Sequence, residues 1–114
     1  MNRKILIEFN NRKYIVKGII DEKRNILTYE DKDNARVSLF MDLNKLIREN
    51  DKYKIDLYFI ENENTESRML LKENDAYVVF NIKTLTLKSN KYYFSVKYTV
   101  EEGETISYSL RVLK

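Results

Sequence analysis

The sequence predicts an all-β protein, because short stretches of alternating apolar and polar residues recur along the chain between polar turns. Alternation with a period of two is typical of a strand with one buried face. Every predicted connection has the length of a hairpin, which favours an up-and-down meander. A meander of about eight to ten antiparallel strands closes best as a barrel, since closure removes exposed sheet edges. We therefore predict a single β-barrel domain over residues 1–114.

The clearest predicted element is a hairpin over residues 91–113. Its two arms place apolar residues at alternate positions: Tyr92, Phe94, Val96, Tyr98 and Val100, then Ile106, Tyr108, Leu110 and Val112. The loop Glu101-Glu102-Gly103 matches a type I turn followed by a left-handed glycine. This loop length pairs Tyr98 with Ile106 and Phe94 with Leu110, so the apolar pairs share one face. The last strand is therefore expected to belong to the core.

Earlier stretches follow the same pattern, and we expect strands at residues 3–9, 13–20, 25–30, 54–60, 65–71 and 76–87. Gly18 lies inside the second of these, which indicates a β-bulge or the close approach of a neighbouring backbone. In the longest stretch the apolar phase changes between Ile82 and Leu85, so we place a β-bulge at residues 83–84.

Residues 35–50 have two interpretations. The spacing of an amphipathic helix, with Asn34 or Ser38 as cap, fits Leu39, Phe40, Leu43, Leu46 and Ile47. The competing interpretation is a hairpin with strands at 36–41 and 45–48 and a turn at 42–44. Periodicity alone slightly favours the helix.

Composition limits the chemistry of this protein. The chain contains neither Cys nor His, which excludes disulfides, thiolate metal sites, thiol catalysis and imidazole-based triads. No arrangement of the remaining reactive side chains stands out, so we predict no enzyme activity, no metal and no cofactor. The net charge of +3, from 21 basic and 18 acidic residues, indicates a mixed exterior and no nucleic-acid partner.

Two features of the sequence bear on membranes and location. Only Ile5-Leu6-Ile7 separates the polar start from Glu8, which is too short for a signal h-region. No later run approaches membrane length. We expect a cytoplasmic protein with no membrane partner.

Three stretches are similar to parts of one known family. Residues 81–103 have a Thr-Leu pair, an alternating strand with Tyr and a Gly-containing turn, as at the end of the bacterial YwiB-like (DUF1934) proteins. Residues 27–30 and 46–48 resemble two earlier strands of that family. Residues 68–76 depart from it, because they lack its Pro and Gly. The resemblance implies a small calycin-like, or lipocalin-like, barrel of unestablished function, and it favours the hairpin over the helix at 35–50.

The nine Tyr residues suggest a ligand site. Tyr98 and Tyr108 share the apolar face of the last hairpin, and their rings and hydroxyls suit a binding cavity. The competing interpretation is simple packing by residues of high β-propensity. Arg48 and Arg68 interrupt apolar strands and are candidates for anion contacts, although surface snorkelling or a pair with Glu66 also explains them. The predicted ligand-binding set is Tyr29, Arg48, Arg68, Phe80, Tyr92, Tyr98 and Tyr108.

Two predicted strands are apolar on both faces, at residues 57–60 and 77–80. A strand with a solvated outer face alternates more cleanly. Either another part of the chain covers these stretches, or they form an exposed apolar surface used for association. Little chain is left to cover them, which favours association. The expected partner is a second copy of the chain, contacted through Tyr58, Ile60, Tyr77 and Val79.

The predicted function is a non-catalytic module that holds a small, mostly apolar ligand at the open end of the barrel. Ligand binding is an analogy with calycins as a class. The alternative is an interaction protein or homodimeric structural barrel with a filled interior and no ligand. A cavity of about 300 Å³ or more favours the first interpretation over the second.

Overall fold

The computed structural model describes residues 2–113 and forms a closed barrel of ten antiparallel strands. The strands are β1 (Asn2–Phe9), β2 (Arg12–Asp21), β3 (Ile26–Glu30), β4 (Arg36–Phe40), β5 (Lys45–Glu49), β6 (Tyr53–Tyr58), β7 (Asn64–Leu71), β8 (Ala76–Asn90), β9 (Tyr93–Val100) and β10 (Thr105–Val112). Each strand pairs with the next in the chain, and β1 closes the barrel against β10. The predicted all-β meander barrel is confirmed, and its form is consistent with a calycin-like fold.

Asparagine makes most of the turns, since the chain has no Pro and only two Gly. Asn tolerates the left-handed backbone conformation because its short polar side chain bonds locally. Backbone φ is positive at Asn10, Asn11, Asn25, Asn34, Asn44 and Asn62. All six residues lie in the connections between strands, and Asn44 ends the 3-10 turn Met41–Leu43 between β4 and β5. The tight asparagine turns keep consecutive strands adjacent around the barrel.

Alternate residues of every strand point into the barrel and form one core. The residues with no exposed surface include Ile5, Ile7, Leu27, Leu39, Ile82, Phe94, Val96 and Leu110. Removing each such side chain from water contributes about 1.5–3 kcal/mol. Phe59 belongs to the same core, with its ring centroid 6.1 Å from that of Phe94. The interior is less completely filled toward the end of the barrel where β3 turns into β4.

The register predicted for the C-terminal hairpin is confirmed. Tyr98 lies opposite Ile106, and Phe94 lies opposite Leu110. Leu110 also pairs with Ile7 on the other side, so β10 joins both ends of the meander.

The turn of this hairpin differs from the predicted one. Glu101 and Glu102 hold the left-handed conformation, with φ of 48° and 62°, whereas Gly103 does not. The Gly103 N–H donates a hydrogen bond of 2.8 Å to the Val100 carbonyl. Glu101 and Glu102 form a two-residue turn, and Gly103 follows it as one extra residue. This extra residue restores the predicted pairing of Tyr98 with Ile106. Glycine is needed for a different reason, because a Cβ at Gly103 would lie only 2.9 Å from the Val100 carbonyl oxygen.

Residues 35–50 form the β4–β5 hairpin, which confirms that prediction over the helix. Val37, Leu39 and Leu46 are buried, as a period of two requires. The helical pattern also included Leu43, whose side chain is 62% exposed in the turn. The apolar residues between 39 and 47 have the spacing of a helix, but in the hairpin they do not share one face.

Gly18 is in a regular part of the sheet, since the pairing of β2 with β1 and β3 runs through it without a shift. A Cβ there would overlap Ile5 Cδ1 and lie 3.1 Å from the Thr28 carbonyl oxygen. The predicted close approach is therefore found, and the predicted alternative of a bulge is not.

The bulge of β8 lies one to two residues later than predicted. Thr84 pairs with Tyr98 and Thr86 with Lys97, which leaves Leu85 without a partner. Leu85 is 37% exposed, so the inward phase passes from Ile82 through the buried Thr84 to Leu87. The error came from assuming that every inward position is apolar.

Between residues 2 and 113 the structure contains no helix of the length and apolarity that a membrane crossing needs.

Candidate functional site

A cavity of about 520 Å³ occupies the less filled half of the barrel. It opens at the end where β1 turns into β2 and β3 into β4. Its floor is apolar and is formed by Val37, Leu46, Ile55, Leu57 and Phe59. Tyrosines line its walls, and charged residues from the β3–β4 loop, from β2 and from β5 surround its mouth. The cavity is therefore an apolar space with polar groups at a few defined positions.

Two tyrosine hydroxyls meet inside this cavity. Tyr29 from β3 and Tyr108 from β10 are 4% and 7% exposed. Their hydroxyl oxygens are 2.8 Å apart, a hydrogen bond in which either group can donate. Burial raises the pKa of both hydroxyls. Both tyrosines are consequently neutral at physiological pH and available as hydrogen-bond donors.

Tyr98 and Tyr14 add two further hydroxyls to the cavity walls. The Tyr98 ring packs against Phe59 with 5.2 Å between ring centroids, and burial raises its pKa to about 12. The pKa of Tyr14 is also raised, first by burial and then by the negative charge of Asp31. Four protonated tyrosines from four strands thus face the same space.

Arg48 forms an ion-pair network at the mouth of the cavity. Its Nε donates to Asp31 Oδ2 at 2.7 Å, and its Nη2 lies 3.3 Å from Asp33 Oδ2. Its Nη1 donates to the Tyr53 hydroxyl. Burial lowers the pKa of Arg48, but the hydrogen bond and the charge of Asp31 outweigh it, so the pKa is raised overall. The guanidinium is therefore engaged by carboxylates of its own chain.

The Asp31 carboxylate also orders the loop that carries it. Its Oδ1 accepts hydrogen bonds from the backbone N–H groups of Asp33, at 2.9 Å, and Ala35, at 3.1 Å. Lys32 in the same loop lies over the Tyr14 ring, 4.6 Å from its centroid. These contacts fix the β3–β4 loop beside Arg48 and define one side of the mouth.

Four of the seven residues predicted to bind ligand line this cavity: Tyr29, Arg48, Tyr98 and Tyr108. Phe80 faces inward but packs, half-buried, against the core instead. Arg68 is exposed on the outer face of β7, since its neighbours Ser67 and Met69 take the inward positions. Tyr92 is 41% exposed at the opposite end of the barrel, because β9 begins only at Tyr93.

The polar contributors absent from the predicted set include Tyr14, Asp31 and Tyr53. Tyr14 shares its inward phase with Val16 and Ile20, so the strand pattern contains a signal for it. Asp31 has no such signal, because it follows a strand among other polar residues. Tyr53 precedes the predicted strand by one residue. Its contact with Arg48 depends on how β5 and β6 pair.

The described residues contain no group of three or more acidic side chains that could hold a metal ion. Comparison of the chain with family models, with curated proteins and with solved structures finds no match. The resemblance to the YwiB-like family stays a prediction.

Proposed function

We propose that the protein is a non-catalytic binding module that holds a small, mostly apolar molecule in the open end of its barrel. The observation that carries this proposal is the cavity of about 520 Å³. Ligand sites of proteins are typically apolar clefts of about 300–1,000 Å³ with a few convergent polar groups. The size and lining of this cavity favour ligand binding over the alternative of a filled barrel.

The chemistry of the lining supports binding rather than catalysis. A nucleophile needs an adjacent base or a lowered pKa. The tyrosines of the cavity have raised pKa values, and Asp31 is held by Arg48 and by two backbone N–H groups. These groups are suited to donate hydrogen bonds and to shape the mouth. A cytoplasmic location stays a prediction.

The proposal is tested with the neutral fluorescent probe N-phenyl-1-naphthylamine. We expect saturable binding to the wild type and its loss in Leu57→Trp, since Leu57 belongs to the cavity floor and a larger ring fills the space. Leu43→Trp is the matched control, because Leu43 is 62% exposed in the β4–β5 turn. Equal binding by the wild type and Leu57→Trp, with both folded, would contradict a site in the cavity.

Self-association is a second candidate function, and the start of β8 favours it. β9 pairs with β8 only from Ile82 onward. Residues 76–80 therefore pair with β7 on one side and with no strand on the other within the described chain. Tyr77 and Val79 are 64% and 53% exposed on the outer face, and Val78 is 41% exposed on the inner face. An apolar strand with both faces and one edge free is a template for strand pairing.

The free edge fits a second copy of the same strand. The backbone N–H and carbonyl of Asn81 point toward the β9 side, where both bond to Glu101. Alternation along a strand places the backbone groups of Tyr77 and Val79 on that same side. With Val78 on a two-fold axis, Tyr77 of one copy lies opposite Val79 of the other in a hydrogen-bonded pair. This pairing is self-complementary, as a two-fold dimer requires.

The four residues predicted for the homodimer do not form one patch. Val79 pairs with Arg68, and Arg68 pairs with Asp56. This row of charged residues separates Tyr77 and Val79 from Tyr58 and Ile60 on the outer face. We therefore assign the proposed self-association to the start of β8 alone.

A further inference from the structure

We infer that the ligand carries an uncharged hydrogen-bond acceptor, such as a carbonyl oxygen, that meets the paired hydroxyls of Tyr29 and Tyr108. This inference rests on the proposed function and names the chemical class of the molecule that the cavity selects.

The tyrosine pair has one proton more than its own hydrogen bond uses. Each hydroxyl can donate one proton. In the 2.8 Å bond between Tyr29 and Tyr108, one hydroxyl donates and the other accepts. The proton of the accepting hydroxyl has no acceptor among the described residues. A buried donor without a partner costs free energy, which a ligand acceptor in the same cavity relieves.

Tyr98 provides a second donor in the same space. Its hydroxyl has no hydrogen-bond partner in the part of the chain that the structure describes, although its side chain is only 7% exposed. Its ring is held against Phe59, so the hydroxyl has a fixed position in the cavity wall. A carbonyl oxygen has two lone pairs and can accept from more than one of these donors.

The electrostatics of the site favour an uncharged acceptor over a carboxylate. A buried anion needs a cation or several donors to replace its hydration. Arg48 is already engaged by Asp31 and Asp33. The other two cations of the lining, Arg12 and Lys32, are exposed to solvent at the mouth. The Asp31 carboxylate adds a negative charge to the same side. Neutral hydroxyl groups whose protons make no hydrogen bond suit a carbonyl oxygen better than a carboxylate.

A matched pair of compounds tests the acceptor directly. In 2-acetylnaphthalene a carbonyl oxygen replaces the methylene group of 2-isopropenylnaphthalene, with nearly the same shape and apolar area. We expect NMR titrations of the wild type to give about tenfold tighter binding of the acetyl compound, as one hydrogen bond supplies. The anion 2-naphthoate should bind more weakly than the acetyl compound. Tighter binding of 2-naphthoate would overturn the assignment of an uncharged acceptor.

Variants locate the donors. Removing one hydroxyl leaves the other free to donate, so Tyr29→Phe and Tyr108→Phe should each retain part of the preference for the acetyl compound. The double variant should lose most of it, whereas Tyr58→Phe, a change at a site that is 42% exposed and outside the cavity lining, should retain it in full. Equal affinities of the two naphthalenes for the wild type would overturn this inference and leave the binding function standing. If the wild type binds neither naphthalene nor N-phenyl-1-naphthylamine, both this inference and the proposed binding function are overturned.

Discussion

At the scale of single residues, burial of tyrosine hydroxyls determines the chemistry of the interior. Tyr29, Tyr98 and Tyr108 are nearly inaccessible, and the desolvation that raises their pKa values keeps them protonated. Burial of these hydroxyls therefore determines both their use as hydrogen-bond donors and the pH dependence of the protein's stability. The unfolded chain ionises near the ordinary tyrosine pKa of 10.0, whereas the folded chain resists ionisation until higher pH.

The buried tyrosines should make the free energy of unfolding fall as pH rises above 10. A group with a raised folded pKa stabilises the protein fully below its unfolded pKa, and that stabilisation is lost toward the folded value, which is about 12 for Tyr98. Each such group contributes a slope of up to about 1.4 kcal/mol per pH unit. Urea unfolding at pH 9, 10 and 11 measures the slope. Tyr98→Phe keeps the ring and should flatten it, and an unchanged slope in this variant would contradict the assignment.

At the scale of elements, the hairpin turn shows why glycine is needed between β9 and β10. The crowding involves the Cβ position and the Val100 carbonyl oxygen, which would be 2.9 Å apart. A left-handed backbone at Gly103 is not involved. Crowding at the Cβ position and a left-handed backbone predict different effects of substitutions at Gly103.

Gly103→Asn and Gly103→Val should therefore destabilise the protein to a similar extent, by about 1–3 kcal/mol. Both variants add a Cβ, and only asparagine tolerates a left-handed conformation. Urea unfolding curves of the two variants and the wild type decide between the causes. A near-wild-type Gly103→Asn beside a strongly destabilised Gly103→Val would indicate a left-handed glycine instead.

β10 is expected to hold the barrel closed, because it pairs with β1 and β9 at once. Leu110 has no exposed surface, so Leu110→Ala should cost about 2–5 kcal/mol, whereas Leu43→Ala in an exposed turn should cost little. Thermal unfolding measures both. Deleting residues 108–114 should abolish folding. A cooperative, near-wild-type transition in that deletion would show that the barrel closes without β10.

At the scale of the whole molecule, pattern predicted the fold better than it predicted the site. Alternation and polar turns predict a meander barrel, since each strand depends on its neighbours in the chain. The cavity instead depends on strands distant in sequence: Tyr29 and Tyr108 meet only because the barrel closes. Arg68 lies on the outer face of β7, because strand phase, and not an apolar neighbourhood, decides whether an arginine enters the barrel. The contact of Arg48 with Asp31 involves a loop whose conformation no periodicity specifies.

The assembly of the molecule should depend on the free edge of β8. Changing Tyr77 and Val79 together to Lys places charges on that edge and should convert a dimer into a folded monomer. Tyr58→Lys is the control, because Arg68 and Asp56 separate it from the edge, and it should leave the dimer intact. Sedimentation velocity measures the change. A wild type that sediments as a monomer at micromolar concentration would contradict self-association.

Ligand binding in the open half of the barrel is most directly tested by native mass spectrometry of the protein purified from its own host. We predict an added small-molecule mass on the wild type and on Leu43→Trp, absent under denaturing conditions and absent from folded Leu57→Trp. The same spectrum reports the number of subunits. A wild type that has only the mass of its polypeptide, and that takes up neither N-phenyl-1-naphthylamine nor 2-acetylnaphthalene, would contradict the proposed function.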